Sequence, residues 1–267
     1  MSPFWSRIVV AAVLLPLVIG LVYLDGWWLT GLALAGGLLA LHELYAIGGT
    51  LRPLRLGGYA AAVATLVGLQ LGGIPWMAIG LLSTLCFAFL VFLLSQSRPA
   101  FTAAVSMTTA GVLWVIGGIA CLVLVRDVPD YGWWTIVAVL FAVFASDTFA
   151  YFVGRAIGRH KMAPAISPGK SWEGFLAGLV AGVTVAFLVL YGDREEFLSI
   201  PESLVLGAAV VVAGVLGDLF ESAVKRDLGV KDSGRVLAGH GGVLDRIDSL
   251  LFAGPAAYAV LLAFGVT

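Results

Sequence analysis

"SLVLGAAVVVAGVLGDLF", residues 203–220, is a run of 18 residues in which Asp218 carries the one charge. A helix needs about 20 largely apolar residues to cross a bilayer. The whole chain is 61% hydrophobic and 12% charged, whereas soluble domains carry about 25% charged residues. The sequence therefore predicts a helical integral membrane protein, because the strands of a membrane barrel would alternate with period two.

Further apolar runs of this kind flank that stretch, and short polar segments with Gly or Pro separate them. They predict an all-α, polytopic membrane bundle of about nine transmembrane helices. The other runs are residues 8–24, 28–41, 57–71, 76–94, 105–125, 133–153, 175–191 and 250–264. We interpret the first run as a retained helix, not a cleaved signal peptide. Residues 1–267 are expected to form one membrane domain.

Glycines mark two places along these runs. "LGGIPW", residues 71–76, lies between the third and fourth spans and predicts either a tight turn or a kink in a re-entrant pair. In the seventh span, Gly174, Gly178 and Gly182 recur every four residues, which predicts close contact with a neighbouring helix backbone. A dimer contact is the alternative for that face.

The basic residues are distributed unevenly across the predicted topology. With nine spans, all but Arg126 and Arg194 of the 15 Lys and Arg residues fall on the N-terminus and the even-numbered loops. The positive-inside rule then places the N-terminus and these loops in the cytoplasm and the C-terminus outside. No basic tail or run indicates a nucleic-acid partner.

Charge is concentrated after the eighth span, in "KRDLGVKDSGRVLAGHGGVLDRID", residues 225–248. Asp218, Ser222 and Lys225 are spaced i, i+4 and i+7, so they share one face if the helix continues. Asp245 and Asp248 follow two glycines that let the backbone approach a ligand closely. Together with Asp218 they predict an oxygen-rich site suited to Mg²⁺.

Two more charged segments belong to the same predicted side. Asp147, in "ASDTFAYF", lies inside the sixth span, where an ionisable side chain faces the bundle interior or a wet cavity; a structural hydrogen-bonding role is the alternative. In "SPGKSWEG", residues 167–174, Lys170 precedes a helix start and predicts an anion site. The alternative is a helix start with an incidental lysine. A P-loop is excluded, because Pro164 stands where that motif needs Gly.

Carboxylates for a metal, cations for phosphates and glycine-rich turns therefore all gather at the cytoplasmic end of an apolar bundle. This combination is typical of phosphoryl or nucleotidyl transfer onto a lipid-borne group.

"SAVKRDLGVKDSGRVLAGHGGVLDRID", residues 222–248, closely resembles the C-terminal motif of phosphatidate cytidylyltransferases. The similarity extends to "SDTFAYFVGRAIGRHKMAPAISPGKSWEG", residues 146–174, and more weakly to "ALHELYAI", residues 40–47. The resemblance implies an enzyme that makes CDP-diacylglycerol and pyrophosphate from CTP and phosphatidate. It also implies Mg²⁺, with a second cation left open, and an all-helical homodimer. The inner cell membrane is the expected location, and the asymmetry of Lys and Arg predicts that the active site faces the cytoplasm.

The resemblance also implies roles for residues in the catalytic region, residues 146–250. The expected catalytic residues are Lys170, Lys225, Arg226, Asp245 and Arg246. The expected substrate-binding residues are Asp147, Ser167, Ser222, Lys231, Asp232, His240, Gly241 and Gly242. The expected metal ligands are Asp218, Asp245 and Asp248.

Two other functions remain open at this point. A CTP-dependent polyprenol or phytol kinase would release a lipid phosphate and CDP in place of a CDP-lipid and pyrophosphate. A transporter would use Asp147 and Asp218 as coupling-ion sites. The gathering of charge at one end of the bundle, without paired broken helices or repeats, argues against the transporter, whereas the reaction products would distinguish the two enzymes.

Overall fold

The computed structural model describes residues 16–96, 100–193, 196–234 and 241–267, and helices dominate these residues. The helices are α1 (Gly26–Ile47), α2 (Arg55–Leu94), α3 (Phe101–Gly111), α4 (Gly117–Arg126), α5 (Gly132–Ile157), α6 (Trp172–Leu190), α7 (Ile200–Asp227), α8 (Leu244–Ile247) and α9 (Leu250–Phe264). A π-helix, Val112–Ile116, joins α3 to α4. Short 3₁₀ helices cover Gly49–Leu51 and Tyr191–Asp193.

Seven helical segments among the described residues are long and apolar enough to cross a membrane. They are Gly26–Ile47, Arg55–Leu94, Phe101–Arg126, Gly132–Ile157, Trp172–Leu190, Ile200–Asp227 and Leu244–Phe264. The predicted all-α, polytopic membrane fold is confirmed, but the count of about nine is not. The third and fourth predicted spans lie in one segment, and the first, residues 8–24, lies partly outside the described residues, of which 16–24 are helical.

The segment α2 folds back on itself at Gly72 and Gly73. Its 40 residues would span about 60 Å if straight, twice the ~30 Å of a bilayer core. Gly73 has φ 67°, a conformation that glycine adopts without a Cβ clash. A Cβ on Gly57 would lie 2.9 Å from Ala88 Cα, and one on Gly68 would lie 2.9 Å from the Trp76 carbonyl oxygen. The two halves therefore pack antiparallel, and "LGGIPW" forms a tight turn.

The chain divides into two compact units, each discontinuous in sequence. The first comprises Met1–Val123 and Leu228–Ile247, and the second comprises Leu124–Asp227 and Asp248–Thr267. The expectation of one membrane domain over residues 1–267 stays a prediction.

Tyr45 of α1 lies at the centre of the first unit's core. Its side chain is fully buried, and its hydroxyl donates to the Thr108 carbonyl oxygen at 2.8 Å. The Thr108 hydroxyl in turn accepts from the Leu54 amide at 2.8 Å. Gly111 leaves room for the Tyr45 ring, because a Cβ there would lie 2.8 Å from it. These contacts hold the start of α2 against α3.

In the second unit, α6 packs against α5 through its glycine face. A Cβ on Gly178 would lie 2.7 Å from the Ser146 carbonyl oxygen, and one on Gly182 would lie 2.8 Å from the Ala142 carbonyl oxygen. The absence of side chains therefore lets the two helix backbones touch, and the packing interpretation of the repeat is confirmed.

A short hairpin connects α5 to α6. Strand β1 (Lys161–Ala163) pairs antiparallel with β2 (Ser167–Ser171). Ser171 then caps α6, because its hydroxyl accepts from the Gly174 amide at 3.2 Å. Residues 167–171 thus form a strand, and the helix that Lys170 was predicted to precede begins at Trp172.

Candidate active site

Four carboxylates and two lysines lie close together in the second unit. We call Asp147, Asp218, Glu221 and Asp248 the carboxylate cluster; Asp147 comes from α5, Asp218 and Glu221 from α7, and Asp248 from the residues just before α9. The lysines are Lys170 on β2 and Lys225 on α7. Gly217 allows α7 to approach the start of α9, since a Cβ there would lie 2.6 Å from the Asp248 carbonyl oxygen.

Lys170 contacts α7 directly. Its Nζ lies 2.9 Å from Asp218 Oδ2 and donates to the Val215 carbonyl oxygen at 3.2 Å. Asp147 is close enough for its charge to interact with both Asp218 and Lys170. The structure therefore brings together three of the predicted site residues from three separate elements.

Glu221 forms the second half of the cluster, and sequence reasoning did not single it out. Only 1% of its surface is exposed, and its Oε2 accepts from Lys225 Nζ at 2.6 Å. Asp248 lies close to both Glu221 and Asp218.

The remaining predicted residues of this unit lie at its edge. The Ser222 hydroxyl donates to Asp218 Oδ1 at 3.3 Å. Arg226 is exposed, and its Nε donates to the Ile166 carbonyl oxygen at 3.4 Å, which ties the β1–β2 hairpin to α7. Ser167 begins β2 and pairs with Ala163.

We call residues 222–248 the signature segment, and its described stretches 228–234 and 241–247 the signature loop. In the first unit, Asp245 accepts hydrogen bonds from both stretches of this loop. Its Oδ1 and Oδ2 accept from the Ser233 amide at 3.2 and 3.1 Å, and its Oδ2 accepts from the Gly242 amide at 2.9 Å. Gly241 has φ 84°, and a Cβ there would lie 3.0 Å from Asp245 Oδ2. The predicted group of Gly241, Gly242 and Asp245 is thus brought together, with the carboxylate bonded to backbone amides.

Glu43 of α1 contacts the same loop, and it was also missed as a site residue. Its Oε2 accepts from the Leu244 amide at 2.9 Å and from the Ser233 hydroxyl at 3.3 Å. A glutamate within the apolar segment "ALHELYAI" was the one signal that could have identified it.

Three other predicted residues of the signature segment are exposed, namely Lys231, Asp232 and Arg246. His240 lies outside the described residues. In the part of the chain that the structure describes, no three His, Cys, Asp or Glu side chains form a group that could hold a metal ion. Asp218 and Asp248 belong to the second unit, and Asp245 belongs to the first. The three-carboxylate metal site stays a prediction.

Known proteins resemble this chain over nearly its whole length. A family model described as "Cytidylyltransferase family" matches residues 5–264. A phosphatidate cytidylyltransferase of Brucella melitensis is 35% identical over 270 residues, covering 99% of this chain and 94% of the relative. One from Mycobacterium bovis is 36% identical over 276 residues, covering 92% and 84%. One from Haemophilus influenzae is 46% identical over 130 residues, a match that spans 48% of this chain and 45% of the relative.

Proposed function

Because the chain belongs to the cytidylyltransferase family, we propose that it transfers CMP from CTP to phosphatidate, giving CDP-diacylglycerol and pyrophosphate for phospholipid biosynthesis. The observation that carries this proposal is the convergence of Lys170 and Lys225 on one carboxylate cluster. Near-full-length relatives named phosphatidate cytidylyltransferase support the choice of substrates.

In the proposed reaction, a phosphate oxygen of phosphatidate attacks the α-phosphorus of CTP. The new P–O bond forms as the bond to the β-phosphate breaks, and pyrophosphate leaves. The nucleophile is already anionic, so no general base is needed. The main task of the protein is to reduce the repulsion between two anions and to hold them in line.

Lys170 and Lys225 are suited to that task because each is already paired with a carboxylate. On CTP binding, we expect each ammonium to exchange its carboxylate partner for a phosphate oxygen. Pairing with Asp218 and Glu221 keeps these two largely buried cations neutralised before CTP binds. Arg226 and Arg246 are proposed to assist with the lipid phosphate and the leaving group.

Mg²⁺ is part of the proposal. Carboxylate oxygens are the hard ligands that Mg²⁺ prefers, so Asp218 and Asp248 are its proposed ligands in the second unit. When bound, the ion would neutralise charge on the triphosphate. Asp245 stays a third candidate ligand on sequence grounds.

We also propose an orientation and an assembly. The helical segments identify an integral membrane protein. In the inner cell membrane, the uneven distribution of Lys and Arg supports a cytoplasmic N-terminus and active site and an external C-terminus. A homodimer is the proposed assembly.

The direct test is product identification. The purified protein, in detergent micelles with phosphatidate, is given CTP labelled at the α-phosphorus, with and without Mg²⁺. We expect the label in CDP-diacylglycerol, with pyrophosphate released, and no product without the ion. Label in CDP, together with a phosphorylated lipid, would identify a kinase and refute the proposal.

A further inference from the structure

Glu43 of α1 is a buried carboxylate in the first unit. It is 3% exposed, and burying an ionised carboxylate is costly unless specific partners compensate. Its Oε2 accepts from the Leu244 amide at 2.9 Å and from the Ser233 hydroxyl at 3.3 Å. One donor lies in each described stretch of the signature loop, and both are far along the chain from α1.

The same loop is held from within by Asp245. The Asp245 carboxylate accepts from the amides of Ser233 and Gly242, and Leu244 begins the short helix that carries Asp245. Two carboxylates therefore accept hydrogen bonds from the same loop. The fit around Glu43 is tight, because a Cβ on Gly242 would lie 2.5 Å from its Oε2.

The bonds of Glu43 fall on one oxygen. Oε2 accepts both hydrogen bonds, whereas Oε1 is buried and has no hydrogen-bond partner among the residues that the structure describes. An amide oxygen in the place of Oε2 could accept the same two bonds. The negative charge of Glu43 is thus separable from its contacts to the loop.

We propose that Glu43 is a positioning residue, which fixes Asp245 and Arg246 for cytidylyl transfer by accepting two hydrogen bonds at Oε2, independently of its charge. This inference rests on the proposed function. Glu43 acts through the loop and touches no reacting atom itself.

Two variants separate the hydrogen-bond acceptor of Glu43 from its negative charge. Glu43→Ala removes both hydrogen bonds, and we expect it to lower kcat by about 10- to 100-fold, the loss typical when an outer partner of a site residue is removed. The KM for CTP should change by no more than about twofold, because Glu43 binds no substrate. Glu43→Gln keeps an oxygen acceptor and should stay near the parental kcat.

Thr30→Val is the matched control. Thr30 is a buried polar residue of the same helix, and its hydroxyl donates to Gln70 Oε1 of α2 at 2.8 Å. Its substitution should lower stability to a comparable extent and leave kcat unchanged. If Glu43→Ala cannot be purified, Glu43→Asp replaces it, because the side chain shortened by one methylene no longer reaches both donors.

Hydrogen exchange gives a second measurement that needs no activity. Amides in residues 228–234 and 241–247 should exchange faster in Glu43→Ala than in the parent, and not in Glu43→Gln or Thr30→Val. A Glu43→Gln protein as inactive as Glu43→Ala, or unchanged exchange in Glu43→Ala, would overturn the proposal. If the parent makes no CDP-diacylglycerol, the proposed function fails, and the exchange pattern still decides whether Glu43 holds the loop.

Discussion

Lys170 on strand β2 places its ammonium 2.9 Å from a carboxylate oxygen of Asp218 on helix α7. The whole of α6 separates the two residues in the chain, and the β1–β2 hairpin holds Lys170 against α7. Pairing with β1 already fixes the backbone at Lys170. Little further backbone entropy is therefore lost when its ammonium binds a phosphate group.

Removal of the Lys170 ammonium should weaken the use of CTP. Lys170→Ala is expected to lower kcat/KM by roughly 30-fold, corresponding to the loss of about 2 kcal/mol from a hydrogen bond to a charged group. Lys161→Ala is the matched control, because Lys161 is an exposed cation on the other strand of the hairpin. Steady-state kinetics with varied CTP measure both. Equal kcat/KM in the two variants would assign Lys170 a purely structural role.

The Asp245 carboxylate should be needed for turnover. Asp245→Asn keeps the size but places an amide group against the Ser233 and Gly242 amides, which need acceptors. We expect most turnover to be lost and the loop amides to exchange faster. Activity titrated with Mg²⁺ then separates two roles. An increased Mg²⁺ requirement in the residual activity indicates a ligand, and an unchanged requirement indicates that Asp245 only shapes the loop.

The Glu221–Lys225 pair should contribute to stability. Both side chains are largely buried, and their charged atoms lie 2.6 Å apart. Removing one partner of a buried pair costs about 3 kcal/mol, so Glu221→Gln should lower the thermal unfolding midpoint in detergent. The double variant Glu221→Gln with Lys225→Met should recover part of this loss. Additive losses in the double variant would show that the pair is not coupled.

The glycine face of α6 should not tolerate side chains. A Cβ on Gly178 would lie 2.7 Å from a carbonyl oxygen of α5, so Gly178→Val should destabilise the second unit by about 1–3 kcal/mol. Gly36→Ala on α1 is the control, because nothing lies within 4 Å of a Cβ at that position. Thermal unfolding in detergent distinguishes them, and equal midpoints would contradict close packing of α5 and α6.

The proposed orientation can be tested by cysteine labelling. With Cys86 and Cys121 replaced, single cysteines at Ser95 and Gly169 should react with impermeant reagents from the cytoplasmic side. Cysteines at Ser199 and Gly192 should react from outside. Gly192 is a suitable site because a Cβ there meets no atom within 4 Å, whereas one at Gly132 would overlap the Arg126 carbonyl oxygen. Reversed labelling would invert the topology.

The sequence predicted those parts of the fold that depend on local pattern. The last predicted span, residues 250–264, coincides with α9, and the Gly174 repeat predicted a helix contact, because both depend on residues close in the chain. Glu43 and Glu221 were missed for a different reason. Glu43 bonds to Ser233 across 190 residues, and no periodicity within α1 shows which distant backbone amides need an acceptor.

The hairpin between α5 and α6 was missed for a related reason. Strands of three and five residues have too few positions for an alternating pattern, and they exist because each pairs with the other. The predicted approach of Asp147, Lys170 and Asp218 was more successful, because each side chain is ionisable and lies at the same end of an apolar segment, where partners of opposite charge are needed.

The fold-back of α2 at Gly72 and Gly73 bears on how the chain enters the bilayer during synthesis. Its two arms lie side by side, so both ends of α2 emerge on one face of the membrane. No charged residue occurs between Arg55 and Arg98, and each charge carried to the bilayer centre would cost about 2.5–3.5 kcal/mol. The arms can therefore insert loop-first as a single unit, without the stepwise threading that separate spans require.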